Sequence, residues 1–263
     1  MMKLIHLSDC HFTDPVPDTP PGSKPHPQKT LQAVIADICQ WHSDAELCVI
    51  SGDLTHHGTL AQYALFRDTI AALPMPVHVI PGNHDVRDTM LATLPDTPCD
   101  ENGFINYSFT CNGIRIVMLD TLSDGEDSGV LCPMRLAWLK TELHHSRNLP
   151  CLVFMHHPPV AMGLPFMDSI NLQNADAFGD VLQVHPAIRH IFFGHLHRPC
   201  HGIWRGIPFT GGASSFTGQP LAMQPGAGLP DKPWLEPGYG IALINENDAS
   251  VRYHFETVPN PKN

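Results

Sequence analysis

Short apolar runs alternate with amphipathic segments along most of the chain. A run such as residues 3–7 has the length and composition of a buried β-strand. In the segment that follows, Leu31, Ile35 and Ile38 recur at the spacing of one helix face. The same reasoning predicts strands at 3–7, 47–51, 77–80, 106–111, 114–120, 151–155, 188–193, 203–210, 240–245 and 250–257, and helices at 27–41, 134–145 and 175–184, with a further helix capped by Thr59 and running to residue 73.

This alternation of strands and helices predicts a layered α/β fold, to which the C-terminal strands add a second sheet. The pair Asn112-Gly113 favours a tight hairpin between residues 106–111 and 114–120. No linker or internal repeat interrupts the pattern, so we expect a single domain over residues 1–263.

Two stretches rich in proline and glycine, residues 13–27 and 214–238, interrupt the regular elements. Long loops in compact domains are usually functional, and the alternative is surface padding. We expect both to shape a pocket, with 214–238 as a pocket or interface loop. The second stretch carries apolar residues without a helical or strand period, which favours a homo-oligomer or, failing that, a lid over the chain's own pocket. These residues are Phe216, Leu221, Met223, Leu229, Trp234 and Leu235.

The charge of the chain argues against a nucleic acid polymer as partner. The formal net charge is −11, from 26 acidic and 15 basic residues, and the basic residues form no run. A nucleic-acid-binding surface usually carries a basic stripe. A well-hydrated acidic surface is the preferred explanation of the net charge, and that charge still counts against a nuclease.

Neither a membrane nor an oxidising compartment is indicated. The apolar N-terminal stretch is broken by His6 and ends at Asp9, so it does not resemble a secretory signal, and no apolar run is long enough to span a bilayer. The 8 cysteines form no Cys-x-x-Cys pair, which favours reduced thiols. A cytoplasmic protein is expected.

Histidines and carboxylates cluster where five of the predicted strands end. The carboxyl ends of strands in an open α/β sheet border the ligand crevice, so these clusters are expected to converge. Carboxylates and imidazoles without thiolates favour Mn, Fe, Co or Zn ions. Each cluster alone is weak evidence, because histidines at strand ends are often surface residues. The clusters are Asp9-Cys10-His11, Gly52-Asp53, Gly82-Asn83-His84-Asp85, His156-His157 and Gly194-His195-Leu196-His197.

In this order the five motifs resemble those of the calcineurin-like metallophosphoesterases, over residues 3 to about 212. The wider segments 4–9, 49–53, 80–85 and 154–159 are similar to the class III cyclic nucleotide phosphodiesterases and the bacterial glycerophosphodiesterases. The resemblance implies a four-layer α/β/β/α sandwich and a site for two divalent metal ions (Mn, Fe, Zn or Co).

The resemblance also implies a role for each residue of the motifs. It makes His84 the catalytic residue, which touches the substrate and not a metal. Beside these, His157 is expected to be structural, and Asp85 is a candidate to orient His84. The implied ligands are Asp9, His11 and His197 for the first ion, Asn83, His156 and His195 for the second, and Asp53 as the bridge between both.

The implied activity is hydrolysis of a small phosphodiester, a cyclic nucleotide or glycerophosphodiester, by attack of a metal-bound hydroxide. Protein phosphatases of this superfamily place an Asp-Arg-Gly segment after the bridging aspartate, whereas residues 54–58 contain no arginine, which favours a diester. Purple acid phosphatases carry a tyrosine where this chain has His56, so a divalent pair is expected. The alternatives are a broad phosphomonoesterase, a nuclease on the same scaffold, or a metal-free binding scaffold.

Overall fold

The computed structural model of the chain describes residues 1–14, 26–226, 228 and 235–260. Strands and helices alternate through most of this part. In chain order they are β1 (Met2–Leu7), α1 (Pro27–Trp41), β2 (Leu47–Ser51), α2 (Leu60–Ile70), β3 (Val77–Ile80), α3 (Arg87–Thr93), β4 (Tyr107–Cys111), β5 (Ile114–Met118), α4 (Pro133–His145), β6 (Cys151–Phe154), α5 (Pro165–Ser169), α6 (Ala175–Leu182), β7 (Ile188–Phe193), β8 (Cys200–Trp204), β9 (Ile207–Gly211), β10 (Gly238–Ile244) and β11 (Val251–Thr257).

The strands form two sheets. One has the order β11-β10-β1-β2-β3, and the other has the order β4-β5-β6-β7-β9-β8. Strands β1, β2 and β3 are parallel to one another, as are β5, β6, β7 and β9. The carboxyl ends of β1, β2 and β3 therefore lie at the same edge of one sheet, and those of β6 and β7 lie at the same edge of the other.

The two sheets pack face to face, with helices on their outer faces. The ring of His6 in β1 lies 5.6 Å from Phe154 in β6, which places the two inner faces in contact. Side chains alternate along β6: Leu152 belongs to the core shared with β1 and β2, whereas Val153 belongs to the core beneath α4 and α6. The predicted α/β/β/α sandwich is confirmed.

Local signals set the helix boundaries much as predicted. In α1, Pro27 occupies the first turn, and the side chain of His26 accepts a hydrogen bond from the Gln28 backbone N–H. The Thr59 hydroxyl accepts one from the Gln62 N–H and begins α2, which confirms the predicted cap.

The predicted strand at 203–210 was wrong in one respect, because it is two strands, β8 and β9, joined by a tight turn. Arg205 and Gly206 both adopt positive φ angles, 51° and 80°, as a type I′ hairpin turn requires. The short helices α3 and α5 were not predicted, since segments of this length do not establish a periodicity.

Part of each proline- and glycine-rich stretch, namely residues 15–25, 227 and 229–234, lies outside the described residues, and with it lie the predictions for Leu229 and Trp234. Residues 214–219 contact two motifs: the Ser215 N–H donates to the carbonyl of Ser8, just before the first motif, and the Gln219 N–H donates to the carbonyl of His197 in the fifth. Among the helices of the described segments, none has the length and apolar character needed to cross a bilayer.

Candidate metal centre

All five motifs follow the carboxyl ends of strands and meet at one site. Backbone hydrogen bonds join the loops: the Asp9 N–H donates to the Gly52 carbonyl (3.1 Å), and the His11 N–H donates to the Asp53 carbonyl (2.9 Å). A bond to a side chain joins the loops of the two sheets, since the His195 N–H donates to Asp9 Oδ1 (3.0 Å). The seven predicted ligands are brought together, as the order of parallel strands requires.

The backbone around these residues is left-handed rather than extended. Asp9, His11, Asp53, His195 and His197 have φ angles of 54°, 46°, 51°, 68° and 50°. The Asp-x-His and His-x-His pairs therefore lie on loop backbone beyond the ends of β1 and β7, and not on extended segments. Non-glycine residues in this region cost about 1–3 kcal/mol each and cluster at functional sites, where the surrounding contacts hold them.

Four of the predicted ligands form a first cluster. The donor atoms of Asp9, His11, Asp53 and His197 all lie within 4.8 Å of one another. His11 Nε2 lies 2.8 Å from His197 Nε2 and 3.4 Å from Asp53 Oδ2. Two imidazole nitrogens and two carboxylates aimed at one point are a donor set typical of Zn, Mn or Fe.

A second cluster forms around Asn83. Its Oδ1 lies 3.2 Å from His156 Nε2 and 3.1 Å from His195 Nδ1. His156 Nε2 also lies 3.4 Å from Asp53 Oδ2. One carboxylate oxygen of Asp53 therefore faces both clusters, the position that a bridging ligand needs.

A buried carboxylate oxygen without a partner also fits a bound cation. Asp9 Oδ2 is buried and has no hydrogen-bond partner among the described residues. An unpaired carboxylate oxygen in the interior is costly unless a cation or a donor compensates it. The residues present therefore fit two divalent ions, one at each cluster.

The pKa of Asp53 and the pKa values of the surrounding histidines depend on one another. Burial alone would raise the pKa of Asp53, but the rings of His156 and His11 hold it well below the usual range. Burial alone would lower the pKa of His156, but the Asp53 and Asp9 carboxylates raise it to about 9. Burial lowers the pKa of His11 and of His195 well below the ordinary value, which keeps both rings neutral and able to bind a cation.

His84 lies at the edge of the first cluster and is half-buried. Its backbone N–H donates to Asp53 Oδ1 (3.0 Å), and its ring Nδ1 lies 3.0 Å from the His56 carbonyl oxygen. Because a carbonyl only accepts, Nδ1 must carry a proton. The other nitrogen, Nε2, is left for a substrate.

The two residues adjacent to motif histidines have structural contacts. Asp85 does not orient His84; its carboxylate accepts from the backbone N–H groups of Leu54, Thr55 and Gly82 and from the Tyr63 hydroxyl. It thereby holds the second and third motif loops together. His157 is buried with its ring nitrogens near the Thr121 hydroxyl and the Asp127 carbonyl, in keeping with the structural role predicted for it.

The glycines of the motifs lie where neighbouring side chains leave no room for a Cβ atom. Only Gly52, of the glycines at 52, 82 and 194, has a positive φ, 97°. A Cβ at Gly82 would collide with the Asp53 carboxylate, and one at Gly194 would collide with the Ser8 hydroxyl. Glycine lets the backbone of one motif approach the side chains of another.

His56 belongs to the site, although the sequence indicated only that it replaces the tyrosine of purple acid phosphatases. Its Nδ1 lies 3.2 Å from His11 Nδ1, and its ring stacks on His84 with centroids 4.7 Å apart. The signal that could have found it is its position, three residues after Asp53 in the same loop.

Comparison with known proteins agrees with this geometry. The family model described as calcineurin-like phosphoesterase matches residues 2–199. A probable cyclic nucleotide phosphodiesterase of Rhodopseudomonas palustris is 36% identical over 79% of this chain and 76% of its own length. A probable glycerophosphodiester phosphodiesterase of Arcobacter nitrofigilis is 32% identical over 78% of this chain and 76% of its own length.

The fold is also found in solved structures. A dimetal phosphatase from Danio rerio superimposes with a TM-score of 0.70 at 15% identity, covering 98% of this chain and 99% of the other. At that identity the likeness concerns the fold alone. By the family match and the relatives together, the chain belongs to the calcineurin-like phosphoesterase family.

Proposed function

We propose that this protein is a metal-dependent phosphodiesterase that hydrolyses a small phosphodiester, either a cyclic nucleotide or a glycerophosphodiester. The observation that carries the proposal is the pair of clusters sharing Asp53 Oδ2, which lies 3.4 Å from a histidine of each cluster. The relatives named for cyclic nucleotide and glycerophosphodiester substrates support the class of substrate.

In this proposal each cluster holds one divalent ion. Two bound ions supply positive charge for the phosphoryl oxygens and activate a water as the nucleophile. Asp9, His11 and His197 would hold one ion, Asn83, His156 and His195 would hold the other, and Asp53 would be a ligand shared by both. Hydrogen bonds between the loops hold the backbone of these residues, five of which have left-handed φ angles, and so set the direction in which their side chains leave the chain.

His84 serves the leaving group in this proposal. Its Nδ1 proton is held by the His56 carbonyl, so only Nε2 is free to donate toward a substrate oxygen. When the ring is protonated, Nε2 carries the proton that a leaving alkoxide needs. His84 is thus the catalytic residue, distinct from the residues that hold ions.

A diester is favoured over a monoester by the pairing of Arg87, the arginine that follows the third motif. Arg87, which follows the third motif, is bound by Asp120 and Asp124 at 2.6 Å each. The charge of Arg87 is therefore already offset by two carboxylates, so this guanidinium is not available for the second negative charge of a monoester.

The test is a comparison of substrates at equal enzyme and manganese concentrations. Cyclic AMP, glycerophosphoethanolamine and bis(p-nitrophenyl) phosphate are measured against the monoester p-nitrophenyl phosphate. We expect the highest kcat/KM on a diester. A monoester turned over more efficiently than all three diesters would replace the proposal with a phosphomonoesterase.

We further propose a homo-oligomer of single-domain chains, with residues 214–238 at the interface or the pocket. In the described part of this loop Leu221, Met223 and Leu235 are 43%, 58% and 38% exposed, which supports an apolar contact surface. Light scattering at micromolar concentration tests it: a mass near 29.0 kDa would mean a monomer, and the loop would then be a lid.

The cytoplasm is the proposed location. All eight cysteines are free, including the exposed Cys99 and the half-buried Cys39. Thiols left unpaired in this number are typical of a reducing compartment.

A further inference from the structure

The ring nitrogens that face away from the two clusters differ in what they contact. Histidines that bind metals usually donate their outer N–H to an oxygen acceptor, which fixes the tautomer and orients the ring. His156 Nδ1 lies 2.8 Å from the Ser51 carbonyl, and His197 Nδ1 lies 3.1 Å from the Thr217 carbonyl. Both acceptors belong to the backbone.

His11 differs, because its outer nitrogen meets a side chain. His11 Nδ1 lies 3.2 Å from His56 Nδ1, and His11 Nε2 faces the first cluster. A ring that binds a cation through Nε2 has its proton on Nδ1. The Nδ1–H of His11 can only donate a hydrogen bond, so Nδ1 of His56 must be unprotonated to accept it.

The backbone of His56 is fixed independently of its ring. Its N–H donates to the Phe12 carbonyl (2.8 Å), and its carbonyl oxygen lies 3.0 Å from His84 Nδ1. The side chain therefore enters the site from an anchored position. Changing the side chain alone leaves the backbone contact to His84 in place.

We propose that His56 is a positioning residue for the metal centre. Its Nδ1 accepts a hydrogen bond from the Nδ1–H of His11, and this bond sets how tightly the first cluster holds its ion. The inference rests on the proposed two-ion site. Apart from the ligands themselves, His56 is the one residue whose side chain forms a hydrogen bond with a cluster histidine among the described contacts, so its substitution should affect a single ion.

Two substitutions separate hydrogen bonding from ring packing. His56→Phe keeps a ring against His84 and removes the acceptor. His56→Asn removes the ring and keeps an oxygen acceptor near the position of Nδ1. The neighbouring His57, an exposed side chain, supplies the matched control His57→Phe.

The measurement is a competition titration of each metal-free protein with Mn²⁺ against a chelating dye, which yields the affinity of each ion. We expect His56→Phe to weaken one of the two affinities about 10–100-fold, the usual effect of losing such a partner. His56→Asn and His57→Phe should stay within a few-fold of the unsubstituted protein. Thermal unfolding of the metal-free variants checks that they fold alike.

Unchanged affinities in His56→Phe, or an equal loss in His56→Asn, would overturn the inference while leaving the proposed function intact. If the unsubstituted protein binds no Mn²⁺ at all, the proposed function itself fails. The two failures are therefore distinguishable in one experiment.

Discussion

Replacing Asp53 with asparagine should abolish metal binding at both clusters and reduce phosphodiester hydrolysis by at least ~10³-fold, since both ions lose their shared anionic ligand. Asp53 Oδ2 is the atom that lies 3.4 Å from His11 Nε2 and 3.4 Å from His156 Nε2. The asparagine can keep Oδ1 as the acceptor for the His84 N–H, which lies 3.0 Å away. The loop geometry is thereby preserved while the charge is lost.

Metal content per chain and kcat on the best diester are the readouts for Asp53→Asn. A matched control is Asp68→Asn, because the Asp68 side chain is 67% exposed and pairs only with the neighbouring Arg67 among the described ion pairs. The control should retain both ions and full activity. An Asp53→Asn protein that keeps two tightly bound ions would show that this carboxylate does not bridge them.

Replacing His84 with asparagine should leave the metal content unchanged and lower kcat roughly 10²–10⁴-fold, the range expected for lost general acid catalysis. The asparagine amide can still donate to the His56 carbonyl, which lies 3.0 Å from His84 Nδ1, so the loop stays anchored. What disappears is Nε2, the nitrogen proposed to face the leaving oxygen.

The leaving group distinguishes this role from a general loss of binding. A p-nitrophenolate departs readily without a proton, whereas the alkoxide of a cyclic nucleotide or glycerol ester does not. The loss in His84→Asn should therefore be much smaller on bis(p-nitrophenyl) phosphate than on cyclic AMP. Equal losses on both substrates would argue against proton donation, and loss of the ions would make His84 a ligand.

The convergence of the seven predicted ligands could be anticipated, because each motif directly follows an apolar segment that is predicted to be a buried strand. Residues 47–51 and 151–155, for example, each read as a strand, and the carboxyl ends of parallel strands meet. The local backbone could not be anticipated. Asp9 and His197 are left-handed because hydrogen bonds across loops hold them so, and those contacts join residues far apart in the chain.

The contact between His56 and His11 was hidden for the same reason. It depends on the pairing of Phe12 with Thr55, which brings the loops after β1 and β2 side by side. Asp85 is a similar case: it follows His84 in sequence, yet its partners are backbone groups of the second and third motifs. Its proximity to His84 in sequence suggested a catalytic role, whereas in the structure Asp85 holds two motif loops together.

The layered fold could be predicted from the sequence more readily than its short elements. The uniformly apolar run of β6 indicated a strand buried on both faces, and the apolar face of α1 was evident from its spacing. The turn at Arg205-Gly206 was missed because arginine gives no signal for a positive φ. Helix α3 has 7 residues, too few to show a helical period in the sequence. A helix this short is stabilised by its tertiary contacts.

The most direct test of the account is removal and restoration of metal in the purified protein. Chelation should bring the metal content close to zero and abolish hydrolysis of the best diester. Added Mn²⁺ should restore activity as the content rises to two ions per chain, the number that the clusters sharing Asp53 can hold. Full diesterase activity in protein measured to be metal-free would contradict the account.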